Sequence, residues 1–187
     1  MSDPFATAGE LSQLIGNTEP TDLSRMQLFL DLASAEIRRY TAQTLSTVAA
    51  DVVILPALER TTLILPERPV TAITTVVAGG VTLSSATDYW FTRAGLLHAG
   101  TIAVEGTFWS SGATVTYDHG YAETTDEYKA LKAVCLESAS RAYTLNERSA
   151  SEAMGSTLME SAGYAPEVFL TLGEKMSLAD FGKVLVG

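Results

Sequence analysis

The sequence predicts an α+β chain, with a small helical bundle as its body, an inserted antiparallel β region, and an extended C-terminal arm. In two long segments, apolar residues recur at three- and four-residue steps, as in amphipathic helices. Between these segments lie short runs of branched residues, punctuated by proline and glycine, which are typical of short strands and tight turns. A polar Ser/Gly-rich stretch follows the last helical segment and precedes a small apolar cluster.

Three helices are predicted, over residues 7–15, 22–43 and 124–148. Thr21 or Asp22 can cap the second helix, because a side-chain oxygen there accepts from unpaired backbone amides. Thr124 and Glu127 have the spacing of a capping box at the start of the third. Since the second and third helices each have one apolar face to bury, we expect them to pack against each other.

The β-insertion is predicted over residues 51–118, with short strands that form a meander or a small barrel. Gly79-Gly80 has the pattern of a two-residue hairpin, and Ala94-Gly95 marks a second hairpin. The strands are predicted at residues 52–55, 61–65, 70–77, 89–91, 96–98, 102–104 and 113–117.

Two parts of the chain are distinguished: residues 1–148, and a linker with an arm at residues 149–187. The polar start of the second part cannot bury enough surface to offset its ordering entropy, so we expect its apolar end to become ordered on a partner. The alternative is that this end folds back on the chain's own helices. The candidate docking residues are Tyr164, Phe169, Leu170, Leu172, Met176, Leu178 and Phe181.

Composition excludes several classes of function. The 187 residues are 47% hydrophobic, enough for a core in one domain with extensions, and the formal net charge is −10. No segment is basic, which disfavours tight nucleic-acid binding through the phosphates. No apolar run is long enough to span a bilayer.

The sequence contains no strong signal of catalysis. Cys135 is the single cysteine and falls on an apolar helical stripe, so we expect a buried, inert thiol. Asp118 and His119 are neighbours on an extended segment and should point to opposite faces. We therefore predict no catalytic residue, cofactor or metal site. The aromatic residues around Trp90 and Trp109 could form a carbohydrate platform, but core or interface packing is the favoured interpretation.

The order of these parts resembles that of a head–tail connector subunit, the adaptor family that docks under the portal of tailed phages. Residues 29–38 resemble the family's L-x-x-A-S-x-x-I-R helix, and residues 115–121 its V-x-Y-x-H-G-Y exit strand. Residues 65–73 resemble the L-P-x-x-P-V entry into its β region. The remaining similar segments are residues 5–11, 131–134 and 170–175.

The resemblance implies a non-enzymatic virion protein that assembles in the host cytoplasm as a dodecameric ring. Such a ring joins the portal to a head-closure or tail-terminator protein, with its C-terminal arm against the portal. Double-stranded DNA passes through its channel without specific binding, which suits an acidic chain. Two alternatives stay open: a mainly β head-closure or tail-completion ring protein, and a small hydrolase or lyase using Asp118 and His119.

Overall fold

The computed structural model describes residues 3–16, 22–56, 60–100, 109, 111–155 and 168–182. The chain divides into a helical unit, residues 1–42 with 124–187, and a β unit, residues 43–123. The helical unit contains α1 (Ala8–Leu14), α2 (Leu23–Thr41), α3 (Asp126–Gly155), α4 (Leu172–Ser177) and a short 3-10 helix (Ala179–Phe181).

Helices α2 and α3 pack against each other, as the sequence predicts, and they do so antiparallel. Near the middle of the pair, Ser34 Oγ lies 3.3 Å from Cys135 Sγ. Towards the start of α2, the rings of Phe29 and Tyr143 meet edge to face at 5.8 Å, and Arg25 binds the carboxylate of Glu147. The apolar stripes read from the sequence are therefore the faces that these helices bury against each other.

The helix caps confirm one prediction and correct another. Asp22 caps α2, because its carboxylate accepts from the Arg25 amide at 3.1 Å. The cap of α3 is Thr125 rather than Thr124. Its hydroxyl accepts from the Tyr128 amide at 3.2 Å, since the helix begins at Asp126 and the capping position falls one residue later than predicted.

Helix α3 is longer than the sequence pattern indicates. We predicted an end near residue 148, followed by a linker from residue 149, but the helix continues to Gly155. Residues 149–155 are Ser-Ala-Ser-Glu-Ala-Met-Gly. Alanine, glutamate and methionine have a high helix propensity, and serine has a lower one. The four favourable residues outweigh the two serines, so the stretch extends the preceding helix.

The β unit contains two open antiparallel sheets in the described part of the chain, and not a closed barrel. One sheet has the order β1-β7-β3-β4 and the other the order β2-β6-β5. The strands are β1 (Val48–Leu55), β2 (Thr62–Ile64), β3 (Val70–Ala78), β4 (Val81–Thr82), β5 (Tyr89–Phe91), β6 (Leu96–Ala99) and β7 (Ala113–His119).

Both predicted hairpins are present. Ala78 pairs with Val81 across Gly79-Gly80, and Phe91 pairs with Leu97 across the turn that contains Gly95. The sheets depart from a simple meander because the last strand, β7, lies between β1 and β3. The predicted strand at residues 102–104 lies outside the described residues.

The core of the β unit follows the alternation of strand residues. Along β7, the odd-numbered residues from Ala113 to His119 are buried, and the residues between them are half-buried. The buried residues that form one cluster are Leu55, Leu63, Leu65, Val70, Val76, Tyr89, Leu97, Trp109, Ala113, Val115 and Tyr117. They come from both sheets, so the two sheets share one core.

Gly120 closes this unit at the end of β7. Its φ is +95°, and a Cβ built on it would lie 2.1 Å from the carbonyl oxygen of Ser46. Its amide donates to the Pro69 carbonyl at 2.9 Å. Only glycine allows this backbone conformation and this close approach together.

We expect Gly120→Ala to destabilise the β unit by about 3 kcal/mol or more, because the added methyl group collides with backbone at a positive φ. Urea unfolding followed by tryptophan fluorescence measures this, since both tryptophans, Trp90 and Trp109, belong to the β unit. Gly80→Ala is the matched control: its φ is +80° but nothing lies within 4 Å of the added Cβ. It should cost only about 1 kcal/mol. Equal costs for the two variants would contradict the close-approach argument.

Candidate functional site

The C-terminal segment, described over residues 168–182, forms a small capped structure within the helical unit. Thr171 and Glu174 make a capping box: the Thr171 hydroxyl accepts from the Glu174 amide, and the Glu174 carboxylate accepts from the Thr171 amide. This satisfies two of the unpaired amides at the start of α4. The helix ends at Ser177, and the 3-10 helix follows it directly.

An ion pair joins this segment to α3. The Arg141 guanidinium donates through two nitrogens to the two carboxylate oxygens of Glu174, each at 3.0 Å. Arg141 also donates to the Phe169 carbonyl oxygen at 2.7 Å. A planar guanidinium that binds a carboxylate through two hydrogen bonds fixes orientation as well as distance. Arg141 therefore determines which side of α4 faces α3.

The pKa of Glu174 reflects this arrangement. Burial by itself would raise the pKa of this carboxyl, which is 6% exposed. The hydrogen bonds from Arg141 and Thr171 favour the ionised form and outweigh burial, so the pKa lies below the ordinary value. Glu174 is consequently an ionised and buried anchor at neutral pH.

The segment has an inner face and an outer face. Leu170 and Leu178, four residues before and after Glu174, are buried at 5% and 1% exposure. Phe169, Leu172 and Met176 are 65%, 76% and 70% exposed, and we call these three residues the C-terminal apolar row. Apolar side chains of this size at such exposure, within one short segment, form a surface suited to contact with a partner.

The seven predicted docking residues thus separate into groups. The apolar row is accessible to a partner, whereas Leu170 and Leu178 fold back on the chain's own helical unit, as the alternative interpretation held for the whole set. Phe181 is half-buried, and Tyr164 lies outside the described residues. Sequence reasoning missed Arg141 and Glu174, although the Thr171-x-x-Glu174 pattern was a visible sign of a helix start.

The structure separates Asp118 from His119, as the alternation along a strand predicts. The Asp118 carboxylate accepts from the Ala50 amide at 2.7 Å. His119 is buried, and its Nε2 lies 3.3 Å from Asp51 Oδ2 instead. The two side chains proposed for a hydrolase or lyase therefore do not form an acid–base pair with each other.

The aromatic residues around Trp90 and Trp109 are mainly core. Tyr89 and Trp109 are buried at 3% and 2% exposure, which confirms packing rather than a carbohydrate platform for these two. Trp90 stacks on His98 at 3.8 Å, and His98 Nδ1 lies 2.9 Å from the Thr62 hydroxyl. Burial lowers the pKa of His98, so its ring is held in the neutral form at neutral pH.

Cys135 is buried, as predicted, and burial raises the pKa of its thiol. Among the described residues, no group of three or more potential metal ligands is close enough to hold an ion. Within the same part of the chain, none of the helices combines the length and apolar character needed to cross a bilayer.

The fold is similar to that of chains in three solved structures of gene transfer agent particles. A chain in the "Neck of empty GTA particle computed with C6 symmetry" matches 97% of this chain and 91% of its own length, with a TM-score of 0.54 and 13% identity. A chain in the "Virion of native gene transfer agent (GTA) particle" matches 100% and 95%, again with a TM-score of 0.54 and 13% identity. A third chain, in the "Neck of native GTA particle computed with C12 symmetry", has a TM-score of 0.50 and 12% identity. The match covers 96% of this chain and 90% of that chain.

No protein-family profile and no curated protein matches the sequence. The likeness is therefore one of fold, and it extends over nearly the whole chain. This fold occurs in the neck of a phage-like particle. At the level of fold, that confirms the resemblance to head–tail connector subunits.

We expect Glu174→Gln to increase hydrogen exchange at the amides of residues 171–178 about tenfold, because a neutral amide binds Arg141 more weakly than a carboxylate does. Hydrogen exchange of the full chain read by mass spectrometry measures this. The matched control is Asp180→Asn, which removes the same charge from an exposed position of the same segment. Equal exchange in the two variants would show that the ion pair does not hold α4.

Acidification should weaken the same contact. The folded pKa of Glu174 lies below the ordinary 4.5, so the ion pair contributes stability above that pH and loses it as the pH falls through the lowered value. Protection of residues 171–178 against exchange should therefore decrease as the pH is lowered below 4.5. In Glu174→Gln this dependence should disappear; its persistence would assign the acid sensitivity to another group.

Proposed function

We propose that this chain is a non-catalytic structural subunit of the virion of a phage or phage-like particle. In this role it forms the head-to-tail adaptor ring, which joins the portal to the tail and lines the DNA exit channel. The observation that carries the proposal is the fold, shared over nearly the whole chain with chains of a particle's neck and virion. The ordered sequence segments that resemble the adaptor family support the same assignment.

A ring of copies is part of the proposal. Two of the similar chains belong to neck structures computed with sixfold and twelvefold symmetry, and twelve copies agree with the adaptor resemblance. Each copy would carry a formal charge of −10. An acidic ring repels the DNA backbone, so the genome can slide through its channel without adhering to the wall.

The C-terminal apolar row is the proposed portal-docking surface. Arg141 and Glu174 hold α4 so that Leu172 and Met176 are exposed, and Arg141 also binds the carbonyl of the exposed Phe169. Burial of exposed side chains of this size on a partner is favourable by about 1.5–3 kcal/mol each. On its other side, the ring would contact a head-closure or tail-terminator protein.

The remaining alternatives are less well supported. A head-closure or tail-completion protein would be mainly β, whereas more of the described residues lie in helices than in strands. The hydrolase or lyase alternative relied on Asp118 and His119, whose side chains have different partners. The proposed location is the virion neck, after assembly in the host cytoplasm, without a membrane partner or a cofactor.

The test is a double substitution in the apolar row, Leu172→Asp with Met176→Asp, in particles assembled in the host. We expect filled or leaking heads without tails, with tail attachment reduced about tenfold or more, because two buried apolar contacts are replaced by charges. Negative-stain electron microscopy counts the tailed particles.

Leu14→Asp is the matched control, because Leu14 is a leucine of the same unit with 54% exposure that lies outside the row. Normal tails in the control with loss of tails in the double variant would support docking through the row. Normal tailed particles in both would contradict the proposed docking surface, and particles that contain no copy of this chain would contradict the virion role itself.

A further inference from the structure

The β1-β7-β3-β4 sheet has an outer face with an unusual composition. Because the side chains of paired residues lie on the same face, the register defines two rows across the sheet. We call these rows together the outer sheet face. They are Val52, Thr116 and Thr75, and then Ile54, Thr114, Val77 and Thr82.

This face contains two strongly exposed aliphatic side chains. Ile54 is 78% exposed and Val52 is 59% exposed. A solvated face of an antiparallel sheet is normally polar, with its apolar residues on the buried face. In this sheet both faces are rich in branched residues. On the outer face the residues of β1 and β4 are exposed, and those of β3 and β7 are half-buried.

The two rows of the outer sheet face contain no charged residue. The four strands contain no lysine or arginine, and their two carboxylates are Asp51 and Asp118. Asp51 pairs in register with the buried Tyr117, so it lies on the inner face. Asp118 alternates with the buried Tyr117 and His119, so it lies on the outer side of the sheet, beyond Thr116 at the end of β7, where its carboxylate accepts from the Ala50 amide at 2.7 Å.

The face, rather than the free edge of β1, is the surface available for contact. The register of β1 shifts between Val48 and Asp51, and Ala50 has a positive φ of 53°. Within the strand, the Val52 amide donates to the Asp51 carboxylate at 2.9 Å. Irregular edges with occupied amides are poor templates for another strand.

We propose that the outer sheet face is a contact surface between neighbouring copies of this chain, with Ile54 and Val52 at its centre. The inference rests on the proposed ring. Copies that each carry −10 repel one another, so they can touch stably only where acids do not face acids. The two rows meet that condition around Ile54, whose partner Thr114 lies four residues from Asp118 along β7. In a ring, it meets a different surface of the next copy, because contacts around a closed ring are head to tail.

A photo-cross-linking residue identifies the occupant of this surface. Ile54→benzoylphenylalanine, irradiated in assembled particles, should give a covalent product that contains two copies of this chain. Val81→benzoylphenylalanine is the matched control. Val81 is also a branched residue of the same sheet and is 61% exposed, but it pairs with Ala78 and lies on the other face. It should give little of this product.

A second variant tests the energetic contribution of the same surface. We expect Ile54→Lys to reduce the number of copies per particle about tenfold or more, since it places a charge in an apolar contact. Val81→Lys should leave that number unchanged. Because Ile54 is 78% exposed, the lysine should not disturb the fold, and circular dichroism of the purified variant checks this.

Each outcome decides for or against the proposal. A product that joins this chain to a different protein, or the absence of any product from position 54, would overturn the copy-to-copy contact. So would a normal copy number for a correctly folded Ile54→Lys variant. Particles that contain the chain without such a product would leave the virion role intact, whereas particles without the chain would remove the basis of both proposals.

Discussion

The proposed docking surface of this chain depends on one ion pair. A short helix of six residues, α4, has little intrinsic stability, so its position must come from its contacts. Arg141 binds both carboxylate oxygens of Glu174, and Leu170 and Leu178 are buried on the same side. The apolar row faces outwards as a consequence. The segment is thus held in place by its inner residues while its outer apolar residues stay accessible.

In the β unit, too, one element determines the arrangement of its neighbours. Strand β7 pairs with both β1 and β3, so its alternating residues determine both faces of the larger sheet. One face joins the core shared by the two sheets, and the other carries threonine, valine and isoleucine, with Asp118 at the end of the strand. The close approach of Gly120 to Ser46 fixes the end of the strand on which this alternation depends.

Local patterns predicted much of the fold. The amphipathic stripes located α2 and α3, and Gly79-Gly80 located the first hairpin, because each signal lies within a few residues of the structure that it specifies. The central position of β7 and the contact of Arg141 with Glu174 were not predictable in this way. Both depend on residues far apart in sequence, and local periodicity carries no information on such pairings. The division of the predicted docking set into inner and outer residues follows from that same contact.

The buried Cys135 has a practical consequence for studying assembly. It is the chain's single cysteine, and its thiol is enclosed between α2 and α3 beside Ser34. A raised pKa keeps it protonated, and thiol reagents react with the thiolate. Fluorophores or spin labels can therefore be attached to a cysteine placed at any chosen exposed position, without prior removal of the native one. Distances between copies in the proposed ring then become measurable by spectroscopy.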